Sequence, residues 1–307
     1  MSWKKLKLQY SLILDRVSEK KNYKAEWEVF KKLALDIEKN PPIAVSEIHY
    51  ALQSLEKNKK RKDIFIFDHG CGSALKSSYL AVLGYKNIYG VNVNFNTDHI
   101  NIIMKDKFKS TKKRFFTTDG KKVPFPDKYF DFIISAQVAE HLRDDEVMEY
   151  YSEEGRVLKK EGLAYHELPH KYIPYESHTR LWLIHLFPYF CKPFLYGIFI
   201  SIQKRKNLLL KGSYYANYYS KKFLILRSPN FHKKMLLKYI GNYQDLTVKR
   251  LQKNIDFSSY DHDSPIRIRK IIQKLFHMPI LGKIFLSVFK NFFILQTLSK
   301  RNNKLNY

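Results

Sequence analysis

The chain has 307 residues, 45% of them hydrophobic and 15% aromatic, enough apolar material for one large domain or two modest ones, which excludes disorder as the overall state. It carries 55 Lys and Arg against 29 Asp and Glu, a formal charge of +26, so a partner or surface of negative charge has to be considered. Two cysteines, Cys71 and Cys191, are too few for a disulfide scaffold or a Cys-rich zinc site and fit a reducing cytoplasm.

The opening MSWKKLKLQYSLILDRVSEKK has a short apolar stretch broken by charge and no small-residue cleavage site, so no signal peptide is expected. Residues 22 to 40 place Trp27, Phe30, Leu33, Ala34 and Ile37 at helical spacing, and Pro41-Pro42 ends the run. Ser46 is expected to cap a second helix through about Lys57. After the basic linker NKKRK, DIFIFDHG reads as a buried strand closed by glycine.

Strand and helix then alternate: strand 63 to 68, helix 74 to 83, strand 87 to 93, helix 97 to 109, strands 114 to 118 and 129 to 136, helix 143 to 158, strand 162 to 168. Alternation with short connections predicts an α/β fold, a parallel sheet with helices on both faces. Ligands on such sheets bind at the carboxyl ends of the strands, near the point where strand order reverses.

Charge is unevenly placed. The first 176 residues are nearly balanced at +6, whereas the remaining 131 hold 24 basic and 4 acidic residues, a net +20. That second part also contains two long apolar stretches. Leu181 to Ile202 nears the length of a bilayer span, but Pro188, Pro193 and Lys192 interrupt it, so a buried or interfacial helical cap is expected instead. Ile271 to Leu295 carries Lys274, Lys283 and Lys290 among large apolar side chains and reads as an amphipathic helix pair broken at Pro279 and Gly282.

The strand ends carry the chemistry. The first strand runs into FDHGCGSA, Phe67 to Ala74, where Gly70 and Gly72 let the backbone turn tightly and approach a ligand. The residue three after Gly72 is Leu75, so the nicotinamide fingerprint fails. The segment resembles the first motif of class I S-adenosylmethionine-dependent methyltransferases, D-x-G-C-G-x-G, with Ala74 at the third glycine, a position expected to need a small residue more than a special dihedral. VPFPDKYFDFIISAQVAEHL, Val123 to Leu142, and GRVLKKEGLAYHELP, Gly155 to Pro169, resemble later segments of the same family in the same order. The resemblance covers residues 63 to 170.

It implies a Rossmann-like, doubly wound, mostly parallel seven-stranded sheet with S-adenosyl-L-methionine as cofactor. Asp68, Gly70 and Gly72 would form the cofactor loop, Asp68 by accepting its backbone N–H groups. Asn92 stands where the family carries a ribose-gripping carboxylate, Asp119 and Gly120 would meet the adenine, and Gln137 completes the cofactor-binding set. The organisation expected is an N-terminal helical extension over 1–60, a methyltransferase core over 61–172, and a helical lid over 173–307 that also supplies the remaining strands. HELPHKYIPYESHTRLWLIHLFP, His166 to Pro188, further resembles an insertion in methyltransferases encoded with bacterial surface-glycan genes.

His166, Glu167, His170, Glu176 and His178 form a dense titratable group. A carboxylate orienting an imidazole suits deprotonation of a hydroxyl acceptor. Side chains alternate along a strand, so His166 and Glu167 point to opposite faces, and the loop residues Glu176 and His178 are preferred, with His141 as a further candidate. No metal is expected, for want of a second ligand cluster at suitable spacing. The function expected is methyl transfer to a hydroxyl or amine of a small molecule or lipid-linked surface glycan, in the cytoplasm and peripherally at an anionic inner-membrane surface. DNA is not expected as a partner. An RNA methyltransferase, suggested by the basic aromatic segment YYANYYSKKFLILR, and a catalytically inactive binding protein are the alternatives.

Overall fold

The structure, a computed structural model, describes residues 3–93, 97–108, 112–176, 178–179, 181–256, 274 and 278–302. Three helices come first. In α1 (Trp3–Ser18) Leu6, Tyr10, Ile13 and Val17 recur at intervals of three and four and are buried, one apolar face of an amphipathic helix. α2 (Lys24–Lys39) buries Trp27, Phe30, Ala34 and Ile37. α3 (Ile43–Glu56) starts directly after Pro42, earlier than the Ser46 cap read from sequence. The proline's fixed φ leads the chain into the first turn, and its carbonyl accepts the Ser46 N–H at 2.9 Å.

The alternating segment follows as β1 (Phe65–His69), α4 (Leu75–Val82), β2 (Asn87–Asn92), α5 (Asp98–Phe108), β3 (Phe115–Thr117), β4 (Phe130–Ala136), α6 (Asp144–Val157) and β5 (Leu158–Leu168). A small hairpin comes next, β6 (Tyr175–Glu176) and β7 (Leu181–Trp182), then α7 (Lys192–Lys204), α8 (Gly212–Asn217), α9 (Pro229–Tyr239), β8 (Gly241–Asp245), α10 (Thr247–Asp256), α11 (Leu281–Phe289) and β9 (Leu295–Arg301).

The main sheet has seven strands in the order β3-β2-β1-β4-β5-β9-β8. The pairs from β3 to β5 are all parallel, whereas β9 runs antiparallel to β5 and to β8. This is the doubly wound, mostly parallel arrangement the sequence implied. Strand order reverses between β1 and β4, which opens a crevice at their carboxyl ends.

Each sheet face has its own apolar layer. Ile66, Phe132, Ile134 and Tyr165 pack with the buried faces of α1 to α4, so the N-terminal helices share a core with the sheet. On the opposite face Phe67, Ile133 and Ala164 pack with Val147, Tyr151 and Leu236 of α6 and α9. Burying each such large side chain contributes about 1.5–3 kcal/mol. A third, smaller cluster holds Leu181, Ile184, Tyr196, Ile200 and Ala216 together between β7 and α8.

The apolar stretches behave differently from their sequence reading. Leu181 to Ile202 is helical only from Lys192; before that it forms β7 and two 3-10 turns. Pro193 sits at the start of α7, where a missing N–H costs nothing. Gly282 does not break the second stretch: it lies inside α11, donating to the Met278 carbonyl at 2.8 Å. Its end, Leu295, begins a sheet strand, and the part at 271–273 and 275–277 lies outside the described residues. Among the described residues no helix is long and apolar enough to cross a membrane.

Candidate functional site

The carboxyl end of β1 turns through residues 70 to 74. Gly70 has φ +79° and Gly72 φ +52°, both in the left-handed region where side chains are strained. A Cβ on Gly70 would collide with the Val138 side chain, while one on Gly72 would meet nothing within 4 Å. The turn therefore has a packed side and an open side, and a ligand can enter over Gly72. Ala74 also has positive φ, +58°. That position does need a special dihedral, contrary to the sequence reading, and alanine adopts it at a cost of about 1–2 kcal/mol.

Asp68 is buried at the end of β1, but its partner is the Ser77 hydroxyl, 2.6 Å from Oδ2. The N–H groups of Gly70 and Cys71 both donate to the Val91 carbonyl at 3.0 Å, so β2 anchors the loop in the role expected of Asp68. Burial raises the Asp68 carboxyl above its ordinary value. Asn92 closes β2, with its side-chain oxygen accepting the Val93 N–H at 2.9 Å. Beyond β3, exposed Asp119 accepts the Lys121 N–H at 3.0 Å, and Gly120 turns with φ +81°. After β4, exposed Gln137 has φ +59°, its N–H donating to the Glu167 carbonyl at 2.7 Å. Asp68, Gly70, Gly72, Asn92, Asp119, Gly120 and Gln137 thus all lie at the carboxyl ends of β1 to β4.

The turn after β4, Ala139–His141, carries a second group. Glu140 is 1% exposed, and neither carboxylate oxygen makes a hydrogen bond among the described residues. His141 Nε2 is 4.0 Å from Oε1. Burial pushes the Glu140 carboxyl up to about 8, and the charges of Glu167 and Glu176 add to the rise. The His141 ring meets the Phe223 carbonyl through Nδ1 at 2.7 Å. A carbonyl only accepts, so Nδ1 carries the proton and Nε2 is left with its lone pair. Burial lowers the His141 pKa.

The hairpin brings in the loop residues. Glu176 is buried and accepts His178 Nδ1 at 2.6 Å, the His178 main-chain N–H at 2.9 Å and the Thr179 N–H at 2.7 Å. Burial alone would raise its pKa, but these donors hold it below the ordinary carboxylate value. The His178 and His141 rings stand perpendicular with centroids 5.1 Å apart. One ligand atom from each of Glu140, His141 and His178 lies within 4.8 Å of the other two. The sequence reading chose Glu176, His178 and His141 but passed over Glu140, whose adjacency to His141 at the end of a buried strand was the available signal.

Arg227 was also missed. It is 8% exposed and donates to the Ala139 carbonyl at 3.0 Å, the Leu142 carbonyl at 2.7 Å and Asp144 Oδ1 at 2.8 Å. The Ile225 N–H donates to the Glu140 carbonyl at 2.7 Å. Residues 223 to 227 are therefore stitched along the turn that carries Glu140 and His141.

The other titratable residues on and just after β5 bond to different partners. His166 and Glu167 face opposite sides, as alternation requires. His166 Nε2 meets Glu154 at 2.7 Å, and Glu167 accepts from Tyr165 at 2.8 Å and Gln296 at 2.9 Å and forms an ion pair with Arg250 at 2.8 Å. His170 bonds the Phe293 carbonyl at 2.7 Å, and burial lowers its pKa to about 4.

Residues 67–166 match the family model described as a methyltransferase domain. A probable chloroplastic tocopherol O-methyltransferase of Oryza sativa subsp. japonica is 28% identical over 116 residues, 38% of this chain and 32% of that one. A sterol 24-C-methyltransferase of Pneumocystis carinii is 33% identical over 99 residues, 32% of this chain and 26% of that one. The chain thus spans about a third or less of the length of these curated relatives. Among solved structures, a geranyl diphosphate C-methyltransferase from Streptomyces coelicolor A3(2) is 11% identical at TM-score 0.43, over 85% of this chain and 81% of that one. The family match begins within β1, ends within β5 and includes every residue of the strand-end set, so residues 67–166 carry the matched methyltransferase domain.

Proposed function

We propose that this protein transfers a methyl group from S-adenosylmethionine to a hydroxyl or amine of a lipid-linked glycan or other small acceptor at an anionic membrane surface. The observation that carries the reading is the glycine turn over residues 70 to 74, open at Gly72, within the matched domain. The residues present fit the cofactor. The backbone at Gly70 and Gly72 permits close approach, Asn92 offers an amide to the ribose hydroxyls, and Asp119 offers a carboxylate to the adenine amino group. Gly120 and Gln137 flank the same crevice.

The bound cofactor would supply an activated methyl group and its own leaving group. What the protein must add is alignment and a place for the acceptor's proton. His178 is suited to the second task. Glu176 fixes its ring through Nδ1 at 2.6 Å, so Nε2 is the atom that can accept a proton. His141, held in the same tautomer by Phe223, stands beside it. We retain the division into an N-terminal extension (1–60), a core (61–172) and a lid (173–307) as part of this reading.

The lid supports the choice of acceptor. Trp182, Leu186, Phe190, Phe194, Ile202 and Leu210 are each more than half exposed, within the part of the chain whose net charge is +20. Large exposed apolar side chains among lysines suit insertion at an anionic lipid surface. The two curated relatives are named for tocopherol and sterol, which agrees with an acceptor having an apolar body. RNA fits less well, because the exposed side chains include large aliphatic ones, Leu186, Ile202 and Leu210, for which bases and phosphates have little use.

The test combines two readouts on the purified chain. With isotopically labelled S-adenosylmethionine and membrane lipid extract, label should enter a lipid-linked or small polar acceptor as one added methyl group. The protein should also float with vesicles containing anionic lipid and not with neutral ones. Label appearing in RNA alone would replace this reading, and full solubility in the presence of anionic vesicles would remove its membrane part.

A further inference from the structure

We propose that Glu140, His141 and His178 form a binding site for a divalent transition-metal ion of the zinc type, with at least one coordination position left for an acceptor oxygen. The site rests on the function proposed above and uses two of its residues, but it makes His178 a metal ligand in place of the proton acceptor. Its evidence is separate.

Three geometric facts point to a cation. The first is the donor set: two imidazoles and one carboxylate, each with a ligand atom within 4.8 Å of the others. Two His and one Glu with an open position is a recognised zinc arrangement, whose ligand atoms sit about 2.0–2.2 Å from the ion and so about 3.4 Å from one another when tetrahedral. Binding would draw the three side chains inward by small torsional changes.

The second fact is the unpartnered carboxylate. Glu140 is 1% exposed, and neither of its oxygens makes a hydrogen bond among the described residues. An isolated buried carboxylate is costly, and such groups are found paired or on metals. Its ion-pair neighbour among the described residues, His141 at 4.0 Å, is itself one of the proposed ligands.

The third fact is the second layer of bonds. His178 Nδ1 is held by the Glu176 carboxylate at 2.6 Å and His141 Nδ1 by the Phe223 carbonyl at 2.7 Å. Metal-ligating histidines almost always donate their other ring N–H in this way, which fixes the tautomer and makes the free nitrogen a better donor. Here both rings do so, and both are left with Nε2. The Arg227 clamp and the Ile225–Glu140 backbone bond keep the turn bearing two of the three ligands in place.

These residues lie on the turn that follows β4, at the end of the sheet that holds the cofactor set. An acceptor hydroxyl taking the open position would become more acidic, as metal-bound water does. In the loaded protein His178 is then a ligand, and the hydroxyl's proton leaves to solvent as the oxygen coordinates.

The test reads metal, not methyl transfer. The chain is stripped with chelator and titrated with Zn2+ and Co2+, with stoichiometry measured by elemental mass spectrometry and coordination by the Co2+ visible spectrum. One ion per chain is expected. Glu140→Gln, His141→Gln and His178→Gln should each weaken its binding at least about tenfold, and Glu176→Gln by about ten- to a hundredfold. S-adenosylmethionine binding, measured on the same variants, reports folding; its loss in wild type would count against the proposed function and leave the metal site standing. Should the variants fail to fold, histidine acylation in the wild type decides, because Zn2+ must shield His141 and His178 while His99 stays reactive. No stoichiometric ion, an ion retained by all three ligand variants, or no shielding would overturn the proposal.

Discussion

Glu154 and Glu140 are almost equally buried, 0% and 1% exposed, and their surroundings differ completely. Glu154, on α6, accepts from His69 at 3.0 Å and from His166 at 2.7 Å, tying the helix to β1 and β5. Burial would raise its pKa, but the two histidines outweigh burial and bring it to about 2. Glu140, on the turn after β4, makes no side-chain hydrogen bond among the described residues, and burial drives it up to about 8. The first carboxylate is complete within the fold. The second has no such partner among the described residues, the pattern that a buried group with a part in binding or chemistry would show.

The largest effect expected from this contrast is at Glu154. Glu154→Ala leaves two buried imidazoles without their acceptor and should cost about 3–5 kcal/mol of stability, measured by denaturant titration. The pH dependence has a definite sign. The folded value lies below the ordinary carboxylate value of 4.5, so the stabilisation is fully present above that value and is lost as pH falls toward about 2. Acid unfolding should therefore be less steep over this window in the variant. An unchanged midpoint would mean that the histidine pair does not hold the helix.

The opposite sign is expected at Glu140. Its folded value, about 8, lies above the ordinary one, so ionisation favours the unfolded chain, and the cost grows as pH rises from 4.5 to 8 in metal-free protein. Glu140→Gln removes that cost and should stabilise the metal-free protein on the order of 1–3 kcal/mol at pH 7, with little gain near pH 5. Destabilisation at both pH values would show that Glu140 has a structural partner.

A smaller effect sharpens the same distinction in the backbone. Ala74 holds φ +58° with a Cβ that disfavours it, so Ala74→Gly should stabilise the chain by about 1 kcal/mol or less, the relieved strain being partly offset by the freer unfolded chain. A loss of stability would mean that the buried Ala74 methyl contributes more packing than its dihedral costs.

The contrast also explains what could be read in advance. Strands β1, β2 and β4 were legible because FIF, IYGV and FII are short runs without charge in a sheet buried on both faces. β9 was not, because LQTLSKR looks like the polar end of the helix before it. The amide NH2 of its buried Gln296 donates to Tyr165 and Glu167, partners far away in sequence. The strand-end positions of Gly70, Asn92 and Asp119 followed from motif order. Ala74 could be read only as small, since a residue's identity does not print its dihedral. His141 and His178 could be named singly, but their meeting depends on the hairpin and on Phe223, and Glu140 gains its meaning only when its missing partners are counted.

The central claim, a cofactor crevice at the carboxyl ends of β1 to β3, is tested most directly by calorimetric titration of S-adenosylmethionine into the wild type and Asp119→Ala. Asp119 is exposed and holds only a local turn, so the variant should keep its fold. Saturable binding at one site in the wild type, weakened by about 1–3 kcal/mol in the variant, is the predicted result. No heat at millimolar ligand, or equal affinity in both proteins, would contradict the account.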